Sequence, residues 1–264
     1  MVAPSVTARD ADSAADRIVF LGHSSVLLEL GGVRVLTDPL LRGRVLHLRR
    51  QVPPVAERML AQPDAVLISH VHHDHLDLAS LRLLGRDTPL IVPAGAGAWL
   101  RGRGFASVTE LSVGEDAKVH ALTVSAVQAR HDAHRLGVRG PRAEPLGYLM
   151  SSGRVVVYFA GDTELFAEMA DFSPAPDVAL LPVAGWGPTL GPGHMDPLQA
   201  AQAAAVIRPR LAIPVHWGTL LPIGLARGYR ERLGDPPREF AEHAAQLAPD
   251  TEVRILLPGQ ATEP

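Results

Sequence analysis

The densest chemistry in the chain lies in Ser69-His70-Val71-His72-His73-Asp74-His75-Leu76-Asp77, where four imidazoles and a carboxylate fall within six positions at the end of the apolar run Ala65 to Ser69. Neutral imidazole and carboxylate are the ligands that zinc, manganese and iron accept where thiolate is missing. Cysteine is absent from all 264 residues, which excludes disulfides, thiolate ligands and a cysteine nucleophile together. A metal held by this chain is therefore held through nitrogen and oxygen. The competing reading is a solvated polar loop, but His-x-His-x-Asp-His is far more specific than an isolated histidine pair.

Three further groups stand where a shared site needs them: His131 after Leu122 to Ala129, Asp162 after Val155 to Ala160, and His216 after Leu211 to Val215. Taken alone, a His or Asp behind a strand is more often a cap or a turn residue. Four apolar runs that each end in a potential ligand predict convergence on one sheet edge, which core packing does not explain.

The elements that must position these groups are short apolar or β-branched runs bounded by Gly, Pro and Asp. In the first half they are Ile18 to Leu21, Val26 to Leu30, Val33 to Leu36 and Ala65 to Ser69, with Gly31-Gly32 marking a hairpin turn. In the second half they are Leu122 to Ala129, Val155 to Ala160, Val178 to Pro182 and Leu211 to Val215. Helical spacing covers Leu76 to Leu84, Leu198 to Ile207 behind the Asp196-Pro197 start, and Arg238 to Leu247. Strands grouped in each half with helices between them predict an α/β fold of two face-to-face sheets with helices outside, a four-layer α/β/β/α sandwich. Residues 40–57 and 132–146 read as long loops rich in arginine, glycine or proline.

With 47% hydrophobic residues, the chain is expected to form one metallo-hydrolase domain over 17–264 behind a disordered N-terminus over 1–16. The N-terminus carries no signal-like apolar core and no run is long enough to span a bilayer, so a cytoplasmic protein is expected. A net charge of only -3 offers no basis for nucleic-acid binding. The expected partner is a small-molecule substrate, anionic in character, with a homo-oligomer left open.

Through HVHHDHLD, the later His131, FAGDTE and IPVHWG, the chain resembles the metallo-beta-lactamase fold superfamily over roughly Ile18 to Gly218. GHSSVLLE, LTDPLL and GHMDPLQAA are similar to motifs of the branch holding ascorbate-6-phosphate lactonases and N-acyl-phosphatidylethanolamine-hydrolysing phospholipase D. The resemblance implies two divalent ions, one on His70, His72 and His131, the other on Asp74, His75 and His216, with Asp162 bridging them. Zinc is the first expectation, with manganese or iron as alternatives. Such a pair ionises water for attack on a phosphodiester, lactone or ester, with Asp74 orienting the hydroxide. Beta-lactam hydrolysis and a non-catalytic sensor of the same fold are the rival functions.

Around that core, His194 is expected to contact substrate or protonate the leaving group, against a plain role in starting the helix. His23 and Asp38 are candidates for orienting a ligand imidazole, against structural turns. Arg49 and Arg50, with Arg42 and Arg44, could form a lid that attracts an anion, against a solvated loop. Trp186 and Trp217 could wall the pocket, against core packing. His73 and His134 are not expected as ligands, because adjacent side chains point apart, although His134 remains a candidate substrate contact. His47, His120 and His243 read as surface.

Overall fold

A strand that is apolar at nearly every position must be covered on both faces, and Arg17–Gly22 shows how: five of its six residues are buried. Ile18, Phe20 and Val35 enter the core shared with the second sheet, whereas Val19, Leu21 and Leu36 pack with Leu81, Leu84 and Leu100 of the helices Leu78–Leu84 and Gly97–Arg101. This alternation gives a helix layer outside one sheet and a second sheet inside it. The computed structural model describes residues 15–56, 59, 62–132, 134–135, 140–185, 190–225 and 227–264. Residues 1–14 of the N-terminal segment, and Trp186, lie outside them.

The first sheet runs Ala261–Thr262, Arg17–Gly22, Ser25–Leu30, Val33–Thr37, Ala65–Leu67, Leu90–Pro93, Val108–Leu111. The second runs Glu252–Val253, Leu211–Val215, Val178–Pro182, Val156–Phe159, Leu146–Ser151, Leu122–Gln128, Asp116–Val119. Helices Pro197–Ile207 and Asp235–Leu247 pack on one another and on the second sheet, completing the four-layer sandwich. The first of these buries Ala200, Ala201, Ala203 and Ala204, small side chains that let its partner approach, and Asp196 with Gln199 closes its N-terminus in a capping box.

Boundaries shift where local chemistry intervenes. The helix after the histidine segment starts at Leu78, because the Asp77 side chain accepts the Ser80 N–H. The last helix begins at Asp235, with proline in its first turn. Residues 40–57, expected as a loop, contain Arg44–Val45 and Leu48–Arg50, which pair with Leu220–Pro222 in a small third sheet.

Strand direction brings the candidate ligands together. Val33–Thr37 and Ala65–Leu67 are parallel, and Arg17–Gly22, two antiparallel steps away, runs the same way. Val156–Phe159, Val178–Pro182 and Leu211–Val215 are parallel, and Leu122–Gln128, again two antiparallel steps away, shares their direction. The C-terminal ends of these strands therefore deliver His23, Asp38 and His70 from one sheet, and His131, Asp162 and His216 from the other, to one rim. Bonds that tie the rims together include Leu146 N–H to Ser69 O at 2.8 Å, His216 N–H to His23 O at 2.8 Å, and the Tyr148 hydroxyl to Ile68 O at 2.8 Å.

Gly161 marks how closely the sheets meet. Its φ is +62°, and a Cβ there would lie 2.5 Å from the Ser69 Cβ and 2.9 Å from its Oγ. Gly161→Ala is expected to destabilise the fold by about 2 kcal/mol through this clash and the left-handed backbone. Thermal unfolding of the metal-free protein should show a melting temperature lower by roughly 4–8 °C; an unchanged value would mean the rims are not in contact.

Candidate metal centre

The loop that carries the histidines is folded on itself before it meets anything else. His75 N–H and Leu76 N–H both bond to His72 O, at 3.2 and 2.8 Å, so the chain turns within His72–Leu76. His23, Asp38 and His216 each adopt positive φ, at 57°, 35° and 60°, directly behind a strand. Left-handed backbone in non-glycine residues is strained, and its recurrence at three strand ends on one rim marks a region shaped for a purpose.

The donor atoms converge in two groups. His72 Nδ1 lies 3.1 Å from His70 Nε2 and 3.0 Å from His131 Nε2. His75 Nε2 lies 3.2 Å from His216 Nε2, and Asp74 Oδ2 is 3.7 Å and 3.9 Å from those two nitrogens. Between the groups sits Asp162, whose Oδ2 is 3.1 Å from His75, 3.2 Å from His216, 3.8 Å from His70 and 4.0 Å from His131, all at Nε2. His194 Nε2 approaches the same oxygen at 3.4 Å. Asp162 Oδ1 is buried and has no hydrogen-bond partner.

The outer ring nitrogens decide which way the lone pairs point. His131 Nδ1 donates to Gly193 O at 2.7 Å and His216 Nδ1 to Ala184 O at 2.6 Å, since a carbonyl only accepts. His75 Nδ1 donates to Asp38 Oδ2 at 2.7 Å. The same carboxylate accepts the Ser69 hydroxyl at 2.5 Å, which leaves the Ser69 oxygen to accept from His70 Nδ1 at 2.9 Å. Four Nε2 atoms thus present lone pairs inward. Ring nitrogens at 3.2 Å, beside ionised carboxylates and an orphaned carboxylate oxygen, fit a cation. Four overlapping sets of these side chains bring one donor atom each within 4.8 Å: His70, His72, His131; His23, Asp74, His75, His216; Asp38, His70, His75; and His131, Asp162, His194.

The electrostatics agree. Burial pushes His23, His70, His72 and His131 toward the neutral form, His23 to about 3 and His131 to about 4. At His75 burial acts in the same sense, but Asp162, Asp74 and Asp38 outweigh it and raise the pKa well above the ordinary histidine value. Burial alone would raise Asp74 and Asp162; the surrounding imidazoles, led by His75 and His216 respectively, hold both well below the usual carboxylate range. The centre sets two ionised carboxylates and a histidine favoured in its charged form, His75, beside the neutral-leaning rings of His23, His70, His72 and His131.

Other candidates fall elsewhere. His23 Nε2 donates to Asp74 Oδ2 at 3.0 Å, next to the second group. Arg50 is no lid residue: it is buried, and its guanidinium donates to the carbonyls of Leu21, Leu40 and Pro53, because a buried charge needs acceptors in place of water. Arg42 is spent on Asp77, which it grips with two bonds, and Arg49 is exposed. Trp217 stacks on Phe20 at 5.8 Å and donates to Pro214 O, inside the core. His134 pairs with Asp132 and lines a separate groove of about 470 Å³ with Val113 and Arg142, away from the cluster.

Sequence spacing gives no role to Ser69, to the carbonyls of Ala184 and Gly193, or to Arg135, all of which bond to the cluster or its loop. Gly193 leaves the clearest trace: its φ is +79°, and a Cβ would sit 2.7 Å from His131 Nδ1. Asp38→Asn should break the relay, because an amide nitrogen cannot accept from both Ser69 and His75. Zinc affinity, measured by chelator competition, is expected to fall about 10- to 100-fold with the fold intact by circular dichroism; unchanged affinity would dissociate Asp38 from the centre.

A beta-lactamase superfamily domain matches residues 33–217, the stretch that supplies most of these groups. The chain is 34% identical to a metal-dependent hydrolase of Methanopyrus kandleri over 94% of this chain and 99% of that one. It is 29% identical to N-acyl-phosphatidylethanolamine-hydrolyzing phospholipase D 1 of Caenorhabditis elegans over 86% of this chain and 70% of that one. The metallo hydrolase Igni18 of Ignicoccus hospitalis superposes with a TM-score of 0.73 at 25% identity, covering 94% and 98% of the two chains. Strand directions, converging imidazoles and these likenesses lead to one assignment: the chain belongs to the beta-lactamase superfamily and is a metal-dependent hydrolase of the metallo-beta-lactamase fold.

Proposed function

We propose that the protein is a binuclear hydrolase acting on a small phosphodiester, lactone or ester. The observation that carries this reading is the inward convergence of the His75 and His216 lone pairs beside Asp74 and Asp162, contiguous with the His70, His72, His131 group. In this reading His70, His72 and His131 hold one ion, Asp74, His75 and His216 the other, and Asp162 joins them. Zinc is the first candidate, manganese or iron the alternatives. Bound there, such ions supply Lewis acidity and a supply of ionised water near neutral pH.

The chain's own groups arrange the rest. Asp74 is fixed through Oδ2 by His23 and can accept a hydrogen bond that aims the attacking water. His194 Nδ1 donates to Gly191 O and Pro192 O, both at 3.1 Å, which turns Nε2 toward Asp162. Its side chain is 20% exposed where His70, His75, His131 and His216 are at most 1%. That places His194 at the rim, suited to pass a proton to a departing group. Beside it opens a cleft of about 370 Å³ lined by Glu164, Leu190, Asp196 and Gln199, with no Arg or Lys among its described lining. The cleft gives no support to an anionic leaving group, so negative charge on the substrate would face the ions instead.

Among the described residues no helix is long and apolar enough to cross a membrane. Zinc- and manganese-loaded protein should hydrolyse at least one of bis(nitrophenyl) phosphate, a simple lactone and N-acyl phosphatidylethanolamine, the last chosen because it is the substrate named for the nematode relative. Asp74→Ala is expected to lower kcat by about 100-fold or more, and His194→Ala to slow poor leaving groups more than nitrophenolate. No turnover of any of the three by metal-replete protein would contradict the hydrolase reading and favour a binding role.

A further inference from the structure

Arg135 belongs to no ligand set, yet it is buried and bonded to the loop that carries the ligands. Its Nη1 donates to Val71 O at 2.7 Å and Leu76 O at 2.9 Å, with His72 O at 3.4 Å. Its Nη2 donates to His73 Nδ1 at 2.9 Å. Val71 and Leu76 flank the His72–His75 turn, so one guanidinium grips both ends of it. The planar fork of five donors suits this task as an ammonium does not. The guanidinium also lies 5.2 Å from the Trp99 ring centre, a ring that Arg103 covers at 3.7 Å.

His131 stands four positions before Arg135 on the same segment. It has to reach across to a different segment to place its Nε2 at 3.0 Å from His72 Nδ1. We propose that Arg135 is a positioning residue for the metal half formed by His70, His72 and His131, fastening the segment that carries His131 to the loop that carries the other two. The proposal rests on the binuclear reading above. Its physical content is local: without the guanidinium, the carbonyls of Val71 and Leu76 lose a buried donor, and the loop must open to find water. The half that draws on both segments feels that opening first. Asp74 and His75 of the other half ride on the same turn but have ties of their own, Asp74 to His23 and His75 to Asp38, while His216 is held on a different strand end by Ala184 O.

Zinc binding by the full chain, measured by chelator competition with cobalt(II) spectra alongside, tests this. Arg135→Met should weaken one of two bound ions about 10- to 100-fold and leave the other unchanged. Its cobalt(II) spectrum should change as that of His131→Gln does, not as that of His216→Gln does. Arg135→Lys should recover part of the affinity, and Arg103→Met, which leaves the carbonyl bonds in place, should bind like wild type. If Arg135→Met does not fold, Arg135→Lys carries the test by the same criterion. Equal weakening of both ions, or none, in a folded Arg135 variant overturns the proposal. Wild-type protein that binds a single ion, still weakened by Arg135→Met, would overturn the binuclear reading and leave the fastening role standing.

Discussion

The structure is organised around a carboxylate that cannot be left as it is. Asp162 is buried, its Oδ2 lies within 4.0 Å of five imidazole nitrogens, and its Oδ1 has no partner. An ionised carboxylate away from water is tolerated only when opposite charge or several donors meet it. Where a ring is neutral its inner nitrogen cannot donate, because the one proton is committed outward, as at His70 to Ser69, His131 to Gly193 O and His216 to Ala184 O. What remains is a demand for positive charge at the meeting point of two sheets.

The fold meets the geometric side of that demand with rigid parts. Side chains at the ends of co-directional strands are placed more firmly than side chains on free loops, and the two rims are stitched together by backbone bonds. Asp38 illustrates the economy of the arrangement: one carboxylate orients His75 directly and His70 through Ser69, one imidazole in each of the two groups. Its left-handed backbone, like that of His23 and His216, is a local strain held in place by the surrounding sheet.

Much of this was legible in the sequence. Apolar runs ending in His or Asp announced both the strands and the edge at which they meet, and Asp196-Pro197 announced a helix start that the capping box bears out. What the sequence withheld was direction. Trp217 directly follows His216 and Arg50 lies in an arginine-rich stretch, yet both spend their polar groups on backbone carbonyls, because a residue type states a capacity for contact and not its target. Ser69 and Arg135 act through partners far along the chain, and no local spacing encodes those. Strands of two or three residues, such as Arg44–Val45 and Leu48–Arg50, carry too few alternations to be told from a loop.

The likeness to hydrolases on the same scaffold accords with a centre that still has an open rim at His194 rather than a closed structural metal site. The most direct test of the account is diffraction from crystals of zinc-loaded protein, recorded on both sides of the zinc absorption edge. Two anomalous peaks, one on either side of Asp162, would agree with cations satisfying the buried carboxylate. A single peak away from Asp162, or none, would contradict it.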